Sequence, residues 1–269
     1  MTILVLAATG KTGRRLVPRL RAEGNDVRAA SRSGEVRFDW GEPARWEAVL
    51  AGVRAVYLVA PDDPAPIERF VAKAERSGVE RFVVLSGRKL DQAGGAFGHA
   101  MLTAEQVVQA SAAEWTVVRA NNFNQNFDEY TWREPLLAGR LELPIGAMGE
   151  PFIDVRDVAE VAALALAGVG HAGQVYELSG PDSITFAEAV RMMSEASGRP
   201  MEYAEIAGAE YEAGLVAEGY PVEVAAELGG LFAVMRSGLI TEPTDTVAKL
   251  LGRPAIGFAE YAAQAWRPR

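Results

Sequence analysis

The chain has 269 residues, a formal charge of −9 and no cysteine, which excludes a disulfide framework, a thiolate metal site and a cysteine nucleophile. Its two histidines, His99 and His171, lie far apart, which speaks against a metal centre, and the acidic balance speaks against nucleic acid, whose phosphates demand a basic face. Glu160 interrupts the longest apolar run, VAEVAALALAGVG, and TILVLAA reads as a core strand and not as a leader, so no membrane partner and a cytoplasmic location are expected.

TILVLAA is continuously apolar, as in a parallel strand buried on both faces. Leu16, Val17 and Leu20 then recur at helical spacing, with Gly24 closing the helix and Pro18 read as a mild kink. DVRAASRS and the short EVRFDW are two further strands, PARWEAVLAGV a helix, RAVYLVAP a strand, PAPIERFVAKAERSGV a helix and RFVVLSG a strand. TAEQVVQASAA is helical and EWTVVRA is the sixth strand. Strands alternating with helices of this length predict right-handed crossovers and a doubly wound parallel α/β sheet. Beyond about residue 125 the alternation loosens. REPLLAGRLELPIG reads as strand-like turns, EPFIDVRDVAEVAALALAG as a turn and a helix, and QVYELSG as a returning seventh strand. From ITFAEAVRMM onward the pattern is helical with short strands. Two domains are expected: residues 1–128 as the nucleotide-binding sheet and 129–269 as a smaller α+β cap carrying the substrate region, with 150–180 returning to the sheet.

Between the first strand and the first helix stands Ala7-x-x-Gly10-x-x-Gly13, with Thr9, Lys11 and Thr12 in the same turn. Gly10 lets the backbone approach a pyrophosphate, Gly13 allows close packing of helix on strand, and the free N–H groups at the helix start attract phosphate. Ala7 stands where the first glycine of such a turn is expected. An acid ending the second strand would bind the ribose hydroxyls of NAD, but this strand ends Ala30-Ser31-Arg32-Ser33. Arg32 can pair with a 2′-phosphate and Ser33 can donate to it, so NADP(H) is the expected cofactor. Asp39 reads either as a partner for the adenine amino group or as a turn residue. Ala60 and Pro61, ending the fourth strand, complete this half of the expected cofactor site.

With these segments in hand, the chain resembles the NmrA-like branch of the atypical short-chain dehydrogenase/reductases over most of its length. AATGKTGRR looks like that family's glycine-rich turn, EWTVVRANNFNQNF like its segment ending Arg-Pro-x-x-Phe-x-x-Asn-Phe, and PFIDVRDVAEVAALAL and ITFAEAVRMMSEASGRPMEY like its later helices. VRFDW and VYLVAP look closest to the ergot-alkaloid-type reductases, with quinone reductases and NADP(H)-sensing regulators nearly as similar. The resemblance implies a Rossmann sheet, NADPH and reduction of a conjugated centre. The wider superfamily's Tyr-x-x-x-Lys pair falls here at about Leu102 and Gln106, so the usual proton donor is missing. Gln106 can still hydrogen-bond the nicotinamide ribose, and Asn122 and Phe123 map onto the nicotinamide-facing turn, with Asn122 as an amide donor to cofactor or substrate.

Substitute acids are Ser86, at the end of the fifth strand and also a cofactor contact, and His99, after the loop DQAGGAFG. Asp157-x-x-Glu160 has the spacing of a capping box with Asp157 at the N-cap. Met192 and Met193 are expected in the cap core, as are Trp132, Tyr130, Tyr211, Tyr220 and Phe232, unless these aromatics line a pocket for a flat substrate. Three functions remain open: an NADPH-dependent reductase of a conjugated or aromatic small molecule (quinone, enone or iminium), a non-catalytic NADP(H)-sensing regulator, and a biosynthetic tailoring enzyme such as an aromatic polyketide monooxygenase.

Overall fold

The computed structural model describes residues 1–94, 97–130 and 132–268. In chain order its elements begin β1 (Thr2–Val5), α1 (Gly13–Ala22), β2 (Asp26–Ser31), β3 (Val36–Arg37), α2 (Trp46–Leu50), β4 (Ala55–Val59) and α3 (Ile67–Arg76). They continue β5 (Arg81–Gly87), α4 (His99–Gln109), β6 (Glu114–Ala120), α5 (Arg133–Leu137), β7 (Arg140–Leu143), β8 (Gly149–Glu150), α6 (Val155–Ala167) and β9 (Gln174–Leu178). The last are β10 (Ile184–Thr185), α7 (Phe186–Ser197), β11 (Glu202–Glu205), α8 (Gly208–Ala217), α9 (Val222–Arg236), α10 (Thr246–Leu251) and α11 (Phe258–Ala265).

Two compact units emerge. The first is assembled from three stretches of chain, Met1–Arg88, Gly98–Ala120 and Val155–Leu178. It holds a seven-stranded parallel sheet in the order β3-β2-β1-β4-β5-β6-β9, the doubly wound Rossmann arrangement. The order reverses between β1 and β4. Strands β1 and β4 are apolar at nearly every position, and β5 over residues 82–85, because helices cover both of their faces. On one face α2, α3 and α4 bury Trp46, Leu50, Phe70, Val71, Ala104 and Val108 against Leu4, Val56, Leu58, Phe82 and Val84. On the other, α1 packs beside α6, and Arg19 of α1 holds Glu160 of α6 at 2.9 Å. Pro18 is accommodated on the exposed side of α1. Arg81, at the start of β5, donates to the carbonyls of Leu166 at 2.9 Å and Gly168 at 2.7 Å, satisfying acceptors that the end of α6 leaves open.

The second unit comprises Lys89–Phe97, Asn121–Asp154 and Ser179–Arg269. Its core gathers Phe127, Trp132, Phe152, Phe186 and Phe258 edge to face, with Met193 and Phe232 fully buried beside them. Met192 is half-buried, Tyr211 packs on Phe232, and Tyr130 and Tyr220 are exposed. Two short sheets complete the unit, β7 with β11 and β8 with β10.

Two local expectations need correction. REPLL is the helix α5 and not a strand-like turn, because Leu136 buries itself one helical turn from Trp132. Asp157 is not an N-cap: α6 starts at Val155, so Asp157 lies buried inside the first turn and Glu160 pairs outward with Arg19. The capping box belongs to α7, where Thr185 Oγ1 accepts the Glu188 N–H at 3.1 Å and Glu188 accepts the Thr185 N–H at 2.8 Å. Those hydrogen bonds hold the Glu188 carboxyl below its ordinary pKa.

Candidate cofactor-binding site

The turn after β1 begins with Leu6 and Ala8 still donating to their neighbours, to Tyr57 O and Ala30 O at 3.1 Å each. Ala7 between them has φ +50°, the left-handed conformation that glycine adopts without cost. Its carbonyl accepts the Gly10 N–H at 2.8 Å and closes the turn. A Cβ on Gly13 would stand 2.3 Å from that same carbonyl oxygen, so the helix starts in direct contact with the turn and only glycine fits. The N–H groups of Thr12 and Gly13 donate to no protein acceptor among the described residues, and Thr12 does not cap the helix with its hydroxyl. They form a donor pair at a helix N-terminus, ready for an anion. Tyr57 faces Thr12 from the core of β4, and burial keeps its phenol protonated, well above the ordinary range. Because Ala7 carries the left-handed strain, Ala7→Gly should raise the unfolding free energy by about 0.5–1 kcal/mol in urea titrations; a loss of stability would refute the strain.

An open cleft of about 580 Å³ lies at the carboxyl ends of β1, β2 and β4, at the point where the strand order reverses. Ala7, Thr9, Gly10, Arg32, Ser33, Asp39, Ala60 and Pro61 all line it, as the sequence reading grouped them. Arg32 and Ser33 are exposed, and the Arg32 guanidinium has no ion-pair partner among the described residues. Neighbouring arginines are committed: Arg21 to Glu35, and Arg37 and Arg45 to Glu42. Asp39 uses one carboxylate oxygen in a turn, accepting the Gly41 N–H at 2.9 Å, and its carbonyl accepts the Trp46 indole N–H. Its other oxygen has no partner among the described residues, so the turn and ligand readings of Asp39 are compatible. Thr9 donates to Ser31 Oγ at 3.2 Å across the cleft floor.

Lys11, Thr12 and Gly13 belong to the turn but do not line the cleft. Ser86 is buried at the end of β5, and its hydroxyl has no hydrogen-bond partner among the described residues. His99 is the exposed first residue of α4; residues 95 and 96 of the loop before it lie outside the described residues. Leu102 is half-buried and Gln106 exposed on α4, a helix without tyrosine or lysine. Asn122 and Phe123 belong to the second unit, where Phe123 bridges Ile153 and the Asn122 side-chain N–H groups are turned toward Glu150.

Sequence reasoning missed Ser31, Phe38, Trp40, Val59, Asp62 and Asp63 in the cleft wall, although all but Asp63 adjoin a residue it had singled out. It also passed over a buried ion network: Glu105 on α4 grips Arg119 on β6 at 2.6 Å, Arg119 approaches Glu177 on β9, and Glu177 lies 3.6 Å from buried Arg88. Among the described residues no helix is long and apolar enough to cross a membrane, and no cluster of three His, Asp or Glu is arranged for a metal.

A glycine-cradled turn leading into a helix N-terminus at the switch point of a parallel sheet defines a dinucleotide-binding α/β protein. Residues 7–167 match the model of a family described as NAD(P)H-binding. The chain belongs to this NAD(P)H-binding family. It is 34% identical to a (4-alkanoyl-5-oxo-2,5-dihydrofuran-3-yl)methyl phosphate reductase of Streptomyces griseus, over 97% of each chain. It is 32% identical to an NAD(P)H azoreductase of Xenophilus azovorans, over 97% of this chain and 96% of that one. The fold is shared with a Citrobacter triphenylmethane reductase crystallised with NADP(H), at TM-score 0.82 and 21% identity, over 98% of this chain and 100% of the other.

Proposed function

We propose that the protein is an NADPH-dependent reductase of conjugated or aromatic small molecules, of the quinone, enone, iminium or azo type. The observation that carries this reading is the exposed, unpaired guanidinium of Arg32 in the same cleft as the glycine turn, where an NAD-binding chain would carry an acid. The azo and enone-like substrates named for its relatives support the substrate class.

NADPH, when bound, would supply a hydride; a neutral quinone, enone or azo acceptor takes one proton besides, whereas an iminium, already cationic, takes none. The Thr12 and Gly13 N–H groups receive the pyrophosphate, since their charge-assisted hydrogen bonds gain from the helix dipole. Arg32 and Ser33 receive the 2′-phosphate, and the open oxygen of Asp39 accepts the adenine amino group. Ala60 and Pro61 give the opposite wall. Ser86 is assigned the role of hydrogen-bond donor to the reacting molecule, because a buried hydroxyl without an acceptor costs about 1–3 kcal/mol that a structural role does not explain. His99, exposed at the head of α4, is the second proton source assigned. An iminium or quinone needs no phenol like that of the wider superfamily, because hydride transfer to it depends chiefly on proximity and orientation.

Arg32→Glu should raise the Kd for NADPH by roughly 10–100-fold, the worth of a charge-assisted hydrogen bond, and leave NADH almost unchanged. Equal losses for both cofactors would refute the phosphate assignment. Nicotinamide fluorescence reads the binding, and NADPH oxidation with a panel of quinones, iminium compounds and azo dyes reads the activity. Tight NADPH binding without oxidation by any of them would replace the reductase with a nucleotide sensor, a reading favoured by the missing Tyr-x-x-x-Lys pair.

A further inference from the structure

The residues that follow β6 present an acceptor where the sequence suggests a donor. Glu150, the last residue of β8, is 1% exposed. Its Oε1 accepts three N–H groups: Asn121 Nδ2 at 2.7 Å, the Asn122 backbone N–H at 3.1 Å and Asn122 Nδ2 at 3.3 Å. Asn121 Nδ2 also donates to Ile240 O at 3.1 Å, and Asn122 Nδ2 lies 3.5 Å from Met235 Sδ. A backbone N–H can only donate, so Oε1 accepts from it, and an ionised carboxylate oxygen has no hydrogen of its own to give. The opposite amide orientation would set the Asn122 carbonyl against Oε1, acceptor against acceptor. The Asn122 NH2 is therefore held toward Glu150 and Met235. Its Oδ1 accepts no hydrogen bond among the described residues and is the half left for a ligand.

Asn121 and Asn122 directly follow the carboxyl end of β6, the end of a parallel strand at which ligands bind, and Asn122 is half-buried. We infer that the Asn122 carbonyl, fixed by Glu150, receives a hydrogen-bond donor of the substrate, an N–H or O–H carried on its conjugated system. This rests on the reductase reading and narrows it. A quinone offers only acceptors to such a group, whereas an amino- or hydroxyl-substituted aromatic offers the donor that Oδ1 lacks.

The test uses the full chain saturated with NADP+, which has no hydride to transfer, and two dyes that differ in their N–H groups: 4-aminoazobenzene and 4-(dimethylamino)azobenzene. Difference absorbance gives the ratio of their affinities for wild type, for Asn122→Leu and for Glu150→Gln. Wild type should favour the primary amine by about tenfold more than Asn122→Leu does, the worth of one hydrogen bond. Glu150→Gln keeps an acceptor toward Asn122 and should retain the preference. Should Asn122→Leu not fold, Asn122→Ala, which also lacks an acceptor, replaces it. The same ratio in wild type and variant overturns the inference, as does a wild-type preference for the dimethylated dye or no binding of either. NADPH oxidation by the acceptor panel is measured alongside. Turnover without dye preference removes this inference alone, whereas no turnover with any acceptor removes the reductase reading.

Discussion

Glu105→Ala should lower the unfolding free energy by about 3–5 kcal/mol, the usual cost of breaking a buried ion pair by removing one partner. The Glu105 side chain is 3% exposed and that of Arg119 12%, and the pair is bidentate, Nε to Oε1 at 3.0 Å and Nη2 to Oε2 at 2.6 Å. Without Glu105 the guanidinium loses its bidentate partner, Glu177 Oε1 stands farther off at 4.0 Å from Nη1, and the charge stays in a place that water reaches poorly. The loss falls on the attachment of α4 to β6, and so on the helix that carries His99 and Gln106. Replacing both partners with apolar residues of similar volume should recover most of the loss, because the pair's attraction largely repays its own desolvation. Equilibrium urea unfolding measures both variants. A loss below about 1 kcal/mol for Glu105→Ala would show that the site relaxes and admits water.

Gly13→Ala is expected to damage folding and binding together. The added methyl would meet Ala7 O at 2.3 Å, Ala8 Cα at 2.7 Å and Ala7 C at 2.9 Å, all backbone atoms that cannot rotate away. Either α1 backs off or the Ala7–Gly10 turn opens, and such overpacking costs about 1–3 kcal/mol. Any such shift also misaims the Thr12 and Gly13 N–H groups. NADPH affinity should then fall by roughly a hundredfold, equivalent to about two charge-assisted hydrogen bonds. Gly10→Ala gives the internal comparison: its methyl would meet Ala7 O at 3.1 Å, a contact that a small adjustment relieves. If the two variants bind NADPH equally well, the packing of helix on turn is not what aims the donors.

The central sheet was legible because each of its long strands is a short apolar run bounded by a helix of the opposite periodicity. RFVVLSG and EWTVVRA are strands over the residues read as such. The cleft was legible for a similar reason: in a doubly wound sheet the loops after β1, β2 and β4 converge, so Gly10, Arg32 and Pro61 meet although far apart in sequence. What escaped depends on rotation about a helix axis. Glu105 and Gln106 are adjacent, but one residue of α-helix turns the side chain by about 100°, which buries the first and exposes the second. The polarity of Asn122 escaped because its partner Glu150 lies 28 residues away, on a two-residue strand with no apolar pattern to announce it. Spacing likewise pointed to Asp157 as a cap, yet the helix takes its first residue two positions earlier.

The nucleotide-binding unit is not a contiguous piece of polypeptide, since its last helix and strand return only with Val155–Leu178. This fixes an order of events during synthesis. When residue 120 leaves the ribosome, β6 has an unpaired edge and α1 lacks the helix it packs beside, so the half-built sheet exposes both a strand template and an apolar face. The sheet closes only after the intervening residues 121–154 have also emerged. The part of the protein that starts first therefore cannot finish early, and a chain stopped anywhere before residue 178 leaves that edge open.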